Sequence, residues 1–348
     1  MPTAAPERLL AGRRPRFIPS RGLATITLAL IALVIASATL APSSITKGAL
    51  LGMLPFAAVL AIAGLGQTLV VQQGGIDLSV PGGISMAVVI CTHQPDGVNS
   101  KLLPAVLLAL AVAIAVGLLN GFLTGRLGIN PIVATLGTNA LLYAGVLELS
   151  GGIPRSTTTL LASIAGGTAF GVPNSVYFAL AAVVITTVVV KLTVAGRRFE
   201  ATGANPAAAW ATGLKVRRHR GGAYVYAQIL YCLAGVLLAG IVAQPTAYEG
   251  DNYLLPSVAV VVLGGTSLLG GRGQLVASAI AALFLSQLEQ FVLAVGVTYA
   301  IQTLVQAAAL IVGVALYTID WRALRRRLRP GGPPDVAALT PVLTQRPI

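Results

Sequence analysis

Two glycine-paired stretches carry most of the polar chemistry of this chain. The first, Gly74-Gly75-Ile76-Asp77-Leu78-Ser79-Val80-Pro81-Gly82-Gly83, sets one carboxylate between two glycine pairs and a proline. The second, Leu263-Gly264-Gly265-Thr266-Ser267-Leu268-Leu269-Gly270-Gly271-Arg272-Gly273, sets two hydroxyls in the same kind of frame. Both interrupt apolar runs. Backbone released from a helix in such surroundings is tolerated where protein or a water-filled cavity receives it, and a carboxylate there is costly. Gly74, Gly75, Asp77 and Ser79, together with Gly264, Gly265, Thr266 and Ser267, are therefore candidates for the wall of a passage. Asp77 reads first as the cap of a helix beginning at Leu78, its carboxylate accepting from the amides near Ser79 or Val80. Gln287 and Glu289 on one late apolar segment, and Gln302 and Gln306 on the next, are candidate solute contacts. Gln302 and Gln306 stand four apart and share a helix face, an arrangement that suits a polyhydroxylated solute or a neighbouring helix equally. Glu289 suits a proton relay or a gate.

Covalent, metal and nucleotide chemistry are not expected within the chain. The phosphate-cradling pattern GxxxxGK[ST] is absent from the sequence, as is the nucleophile elbow GxSxG. The two histidines, His93 and His219, fall in different loops, and the two cysteines, Cys91 and Cys232, sit in separate apolar segments, so neither a metal site nor a disulfide is expected. No acid and base pair shares a membrane depth, which disfavours a polytopic enzyme.

The elements that must position these residues are membrane helices. Of the 348 residues, 56% are hydrophobic and 9% charged, with a mean hydropathy of +0.85. Soluble domains carry roughly 25% charged residues. The net charge of +13 arises from short basic blocks between apolar runs of about 20 residues, the spacing a bilayer demands, so nucleic acid is not an expected partner. The fold class is all-α and polytopic, with about ten transmembrane helices predicted at 23–41, 49–71, 78–92, 102–124, 131–149, 175–195, 222–243, 255–270, 274–295 and 299–318. The spans 78–92 and 255–270 are short and glycine-interrupted. The run from Leu23 to Ala41 is read as a retained first helix rather than a cleaved signal. With the N-terminus inside, every Lys and Arg except Lys47, Lys101 and Arg155 falls on one face, which predicts a multi-pass plasma (inner) membrane protein with both termini cytoplasmic. The layout is a basic tail over 1–22, a transmembrane domain over 23–318 and a basic, partly disordered tail over 319–348. The second glycine stretch occupies in the later half the place the first occupies in the earlier one, which suggests an inverted repeat with broken helices.

The long polar interval between the two hydrophobic halves runs from 196 to 221. Within it, Glu200 to Gly213 reads as a short helix, with Asn205-Pro206 as its start, alanines after it and Gly213 as its stop. A basic loop with its own helix, projecting from an apolar body, has the look of a docking handle.

GGIDLSV at 74–80, LLNGFLTGRLGINPIVATLGT at 118–138, the run from 196 to 216 and VAVVVLGGTSLLGGRG at 258–273 together resemble the ribose-type permease subunits of bacterial ABC sugar importers. The resemblance covers nearly the whole chain in order. Pro81, Ala204, Glu200-Ala201 and Ser257 depart from the family's usual residues. The resemblance implies a ten-span importer permease paired with a second permease subunit, two cytoplasmic ATPase subunits that bind ATP and Mg, and an extracytoplasmic sugar-binding protein. It also implies that Glu200, Gly203, Asn205, Ala208 and Gly213 belong to a coupling helix seated in a groove of the ATPase. The expected function is a passive pathway for a monosaccharide or related polyol. The alternative, motivated by Asp77 and Glu289, is an ion-coupled secondary transporter.

Overall fold

The computed structural model of the protein describes residues 21–311, apart from 272, 299, 302, 303, 305, 306, 309 and 310. Its helices are α1 (Arg21–Leu40), α2 (Lys47–Gln72), α3 (Val80–His93), α4 (Leu102–Gly125), α5 (Pro131–Ser150), α6 (Thr159–Gly166), α7 (Asn174–Leu192), α8 (Val194–Ala204), α9 (Pro206–Ala211), α10 (Val216–Ile241), α11 (Leu254–Leu263) and α12 (Leu275–Ala294). Short 3-10 turns cover Pro42–Ile45, Asn99–Lys101 and Glu249–Tyr253. Seven of the helical segments are long and apolar enough to cross a membrane. The predicted spans 78–92 and 255–270 appear as α3, of 14 residues, and α11, of 10, so both are half-helices. The predicted span 299–318 lies for the most part outside the described residues, as do the tails 1–20 and 319–348.

The bundle is built around α10 and α2. In the most apolar window of α10, 67% of residues are buried, against 11% for the peripheral α1. Glycine permits this density, because backbones approach closely only where no side chain intervenes. Gly117, Gly121 and Gly125 form one stripe of α4, and a β-carbon on Gly121 would come within 2.8 Å of the Gly221 Cα on α10. At the far end of α10, a β-carbon on Gly240 would come within 2.5 Å of the Leu161 carbonyl oxygen of α6. Removing either hydrogen-only position would wedge apart the helix pair that carries the core.

Two segments depart from the sequence reading. The interval 150–174 contains α6 and a two-stranded hairpin, β1 (Thr168–Ala169) with β2 (Val172–Pro173), turned through Phe170 and Gly171, both at positive φ as a primed hairpin turn requires. The interval 244–252, a polar stretch between the predicted spans 222–243 and 255–270, folds inward. Gly250 is buried, its amide donates to Ser85 Oγ at 3.0 Å, and a β-carbon there would overlap the carbonyl of Pro81 in the first turn of α3. The chain thus returns into the bundle before α11 begins. Its polar composition reads as loop, whereas the missing side chain at Gly250 is what lets it pack.

Candidate functional site: the junction of two helix breaks

The break after α2 and the break after α11 meet. Each helix ends in the same way: the Gly74 and Gly75 amides donate to Val71 and Val70, and the Gly265 and Thr266 amides donate to Val262 and Val261. Gly74 and Gly265 both sit at φ +80, the left-handed conformation that closes a Schellman cap. The second break then folds over the first, with the Gly271 amide donating to the Gln72 carbonyl at 2.9 Å and Gln72 Nε2 to the Gly271 carbonyl at 3.4 Å.

The polar interval joins the same point. Gln72 Nε2 also donates to Glu200 Oε1 at 3.4 Å, Gln73 Nε2 donates to the Phe199 carbonyl at 2.8 Å, and Thr202 Oγ1 donates to Gln73 Oε1 at 3.2 Å. Glu200 is ion-paired with Lys191 at the end of α7. A β-carbon on Gly203 would overlap the Gln72 carbonyl oxygen, and one on Gly271 would lie 3.3 Å from the Ala204 Cα. Three chain segments far apart in sequence therefore lock at Gln72-Gln73 with no room for a methyl group.

The single helix expected over Glu200–Gly213 is two helices. Glu200 and Gly203 lie in α8, which packs on the breaks, and Asn205 ends it with extended backbone. Asn205 Oδ1 then accepts from the Ala208 amide at 3.0 Å and starts α9, as Asn-Pro predicts. Gly213, at φ +83, follows α9 and closes its C-terminal turn. Trp210 on α9 is 76% exposed, a large apolar side chain with little cover among the described residues. Between α9, the loop after α4 and the start of α10 lies a cavity of about 900 Å³ rimmed by Trp210, Arg126, Lys215, Arg217 and Arg220.

Asp77 is fully buried, and its role differs in position from the sequence reading. The helix starts at Val80, with Ser79 rather than Asp77 in the cap position and no side-chain cap bond. Asp77 Oδ1 accepts from both the amide and the hydroxyl of Ser79, which closes a turn just ahead of α3. Ser79 Oγ in turn accepts from Asn120 Nδ2 at 3.0 Å and Gln228 Nε2 at 2.8 Å, and Thr138 Oγ1 donates to Asn120 Oδ1 at 2.7 Å. The Leu78 amide donates to Thr135 Oγ1. The side-chain amide of Gln67 donates to the Asp77 carbonyl at 3.2 Å and to Tyr231 Oη at 3.1 Å, and accepts from the Asp77 amide at 3.3 Å. This network ties α2, α4, α5 and α10 to the first break. Asp77 Oδ2 has no hydrogen-bond partner among the described residues, an uncommon condition for a buried carboxylate oxygen.

The remaining candidates lie elsewhere. Thr266 Oγ1 accepts from the Gln274 amide and helps re-form the chain before α12, while Ser267 is exposed and its hydroxyl accepts from the Leu269 amide. Gln287 is buried and donates to Ser37 Oγ at 3.0 Å, between α12 and α1. Glu289 lies in α12 two residues on, and Gln302 and Gln306 lie outside the described residues. The sequence reading missed Gln67, Asn120, Thr135, Thr138, Gln228 and Tyr231. Asn120, Thr135 and Thr138 stand inside the quoted run 118–138, so that run owes its character to the network around Asp77.

The family described as "Branched-chain amino acid transport system / permease component" matches residues 49–314, which include both breaks and the α8–α9 segment. The chain belongs to the ribose-type permeases of ABC importers. This permease is 35% identical to the ribose import permease protein RbsC of Bacillus subtilis (strain 168), over 83% of its own length and 90% of the relative's. It is 32% identical to the probable ABC transporter permease protein y4mJ of Sinorhizobium fredii, over 83% and 86%. It is 29% identical to the autoinducer 2 import system permease protein LsrD of Photorhabdus temperata, over 73% and 78%. No solved structure matches the permease.

Proposed function

We propose that this permease forms the translocation pathway of an ATP-driven importer for a monosaccharide or related polyol, receiving solute from an extracytoplasmic binding protein and force from cytoplasmic ATPase subunits that hold ATP and Mg. A second permease subunit completes the pathway. The observation that carries the reading is the lock at Gln72-Gln73, where α8 is bonded to the first break and touches the second. A partner that grips α9 through Asn205, Ala208 and the exposed Trp210 moves α8 with it. Because Gly203 leaves no slack, that movement is passed to both breaks at once, and rearranging packed, bistable contacts is how small displacements switch access. Relatives named for ribose and autoinducer 2 support a sugar-like cargo without choosing between them.

The test is uptake by the permease reconstituted with its ATPase and binding protein. Accumulation should require ATP and vanish when the ATPase is omitted. Uphill accumulation by the permease alone on an ion gradient would end the proposal. Trp210→Ala should leave the folded yield unchanged, because the ring is exposed, and should weaken ATPase co-purification by about tenfold or more, the scale of an aromatic anchor at an interface.

A further inference from the structure

Tyr143 on α5, Tyr248 before the inward-folded turn and Asp251 within it form a polar cluster on the flank of the bundle. Tyr143 Oη donates to Asp251 Oδ1, and the Tyr143 and Tyr248 ring centroids are 5.5 Å apart at 38°. Tyr248 is 46% exposed, and Asp251 and Asn252 are exposed as well. The cluster lies inward of the end of α5, a helix long and apolar enough to cross a membrane. Tyr143 stands seven residues before the end of α5, about 10 Å along its axis, and Gly250, next to Asp251, packs against the first turn of the half-helix α3. The exposed neighbours Leu136, Leu141 and Leu147 on α5 are the side chains a hydrocarbon layer receives. An exposed carboxylate at that depth is not left to lipid, so the face carrying it borders water.

We propose that Tyr143, Tyr248 and Asp251 are a solute-contact site for a neutral, polyhydroxylated molecule within a water-filled part of the pathway. The inference rests on the importer reading above and adds to it the residues that touch cargo. The chemistry fits that class. Tyrosine rings offer flat apolar faces to the C–H side of a sugar ring, and their hydroxyls donate and accept. Asp251 keeps Oδ2 as an acceptor for solute hydroxyls. Asn139, one helical turn before Tyr143, accepts from the Gly82 amide at 2.8 Å through Oδ1 and keeps its amide N–H groups as donors. Gly82 lies in the first turn of the half-helix α3, three residues after Ser79, so occupancy of the site is felt close to the first break and its network.

The experiment is thiol labelling of the full chain in native membranes, where the two natural cysteines, Cys91 and Cys232, are buried and give the background. Tyr248→Cys and Asn252→Cys leave the Tyr143–Asp251 bond in place, and Leu141→Cys reports the lipid face. A membrane-impermeant thiol reagent should modify both of the first two and spare the third. Failure to modify either would show that the cluster is closed off, by lipid or by a second subunit, and would overturn the proposal; the importer reading is judged separately, by ATP-dependent uptake through the unsubstituted permease. D-ribose or D-xylose in large excess should slow the modification at least threefold, and choline should not. Slowing by choline alone, or by none of the three, would overturn the assignment of a neutral polyol contact.

Discussion

The break after α2 and the break after α11 share a backbone device and differ in what surrounds it. Both helices end in a Schellman cap with glycine at φ +80, with amide bonds of the same spacing back to paired valines. Beyond the cap, the first break buries Asp77 and Ser79 in a network reaching four helices. The second leaves Ser267 in solvent and Leu269 96% exposed. The first break is tied to four helices by side-chain bonds, and the second is exposed from Ser267 to Leu269 between its anchors at Thr266, bonded by the Gln274 amide, and Gly271, bonded to Gln72. In the proposed importer this difference would make the first break the fulcrum and give the travel to the second, with α8 bonded where they touch.

The largest expected effect comes from filling the contact between them and α8. Gly203→Val places a branched side chain on the Gln72 carbonyl, and transport by the complete importer should fall by about a hundredfold or more, a loss of some 3 kcal/mol in the coupled step. Near-normal uptake would show that α8 does not transmit force through Gln72. Next in size is a matched pair of serine substitutions. Ser79→Ala removes the hydroxyl shared by Asp77, Asn120 and Gln228, and stranding buried partners of this kind costs roughly 2–3 kcal/mol. Ser267→Ala removes an exposed hydroxyl and should cost less than about 0.5 kcal/mol. Thermal melting of the two variants in detergent compares them directly, and equal shifts would erase the distinction between a fixed break and a free one. Asp77→Ala should behave like Ser79→Ala, lowering folded yield without changing which sugar is carried.

Much of this was legible because glycine pairs and Asn-Pro act locally. Gly74-Gly75, Gly264-Gly265, Asn205-Pro206 and Gly213 announce caps and turns whatever surrounds them, and the apolar runs announce spans through the 3.6 period and length. The network around Asp77 was not legible, since Gln67, Asn120, Thr138 and Gln228 are sparse polar residues in four separate apolar runs and no spacing relates them. The inward fold at Gly250 was hidden for the opposite reason: Tyr248, Glu249, Asp251 and Asn252 look like a surface loop, and only packing against α3 shows where they lie. The single helix expected at 200–213 is two because Pro206 holds Asn205 in extended backbone, which ends α8 and starts α9, and only the bonds to Gln72 and Gln73 show that α8 is the part that packs on the first break.

The smallest effect bears most directly on whether the two breaks are equivalent at their caps. Gly74→Ala and Gly265→Ala each force a β-carbon into the left-handed region, at a cost of about 1–2 kcal/mol per site. Gly74 is exposed, and the nearest atom to an added β-carbon there is the Leu269 carbonyl oxygen at 4.0 Å, so its penalty is conformational alone. If the caps are equivalent, the two variants should lower the melting temperature by equal amounts, and the double variant by their sum. If the first break is the fulcrum, Gly74→Ala should also slow transport in proportion to lost folded protein and no further, because the cap geometry survives. Gly265→Ala should reduce turnover beyond its loss of folded protein, because that cap is the root of the segment that travels. Transport losses that track folded protein equally in both variants would leave the two breaks mechanically alike.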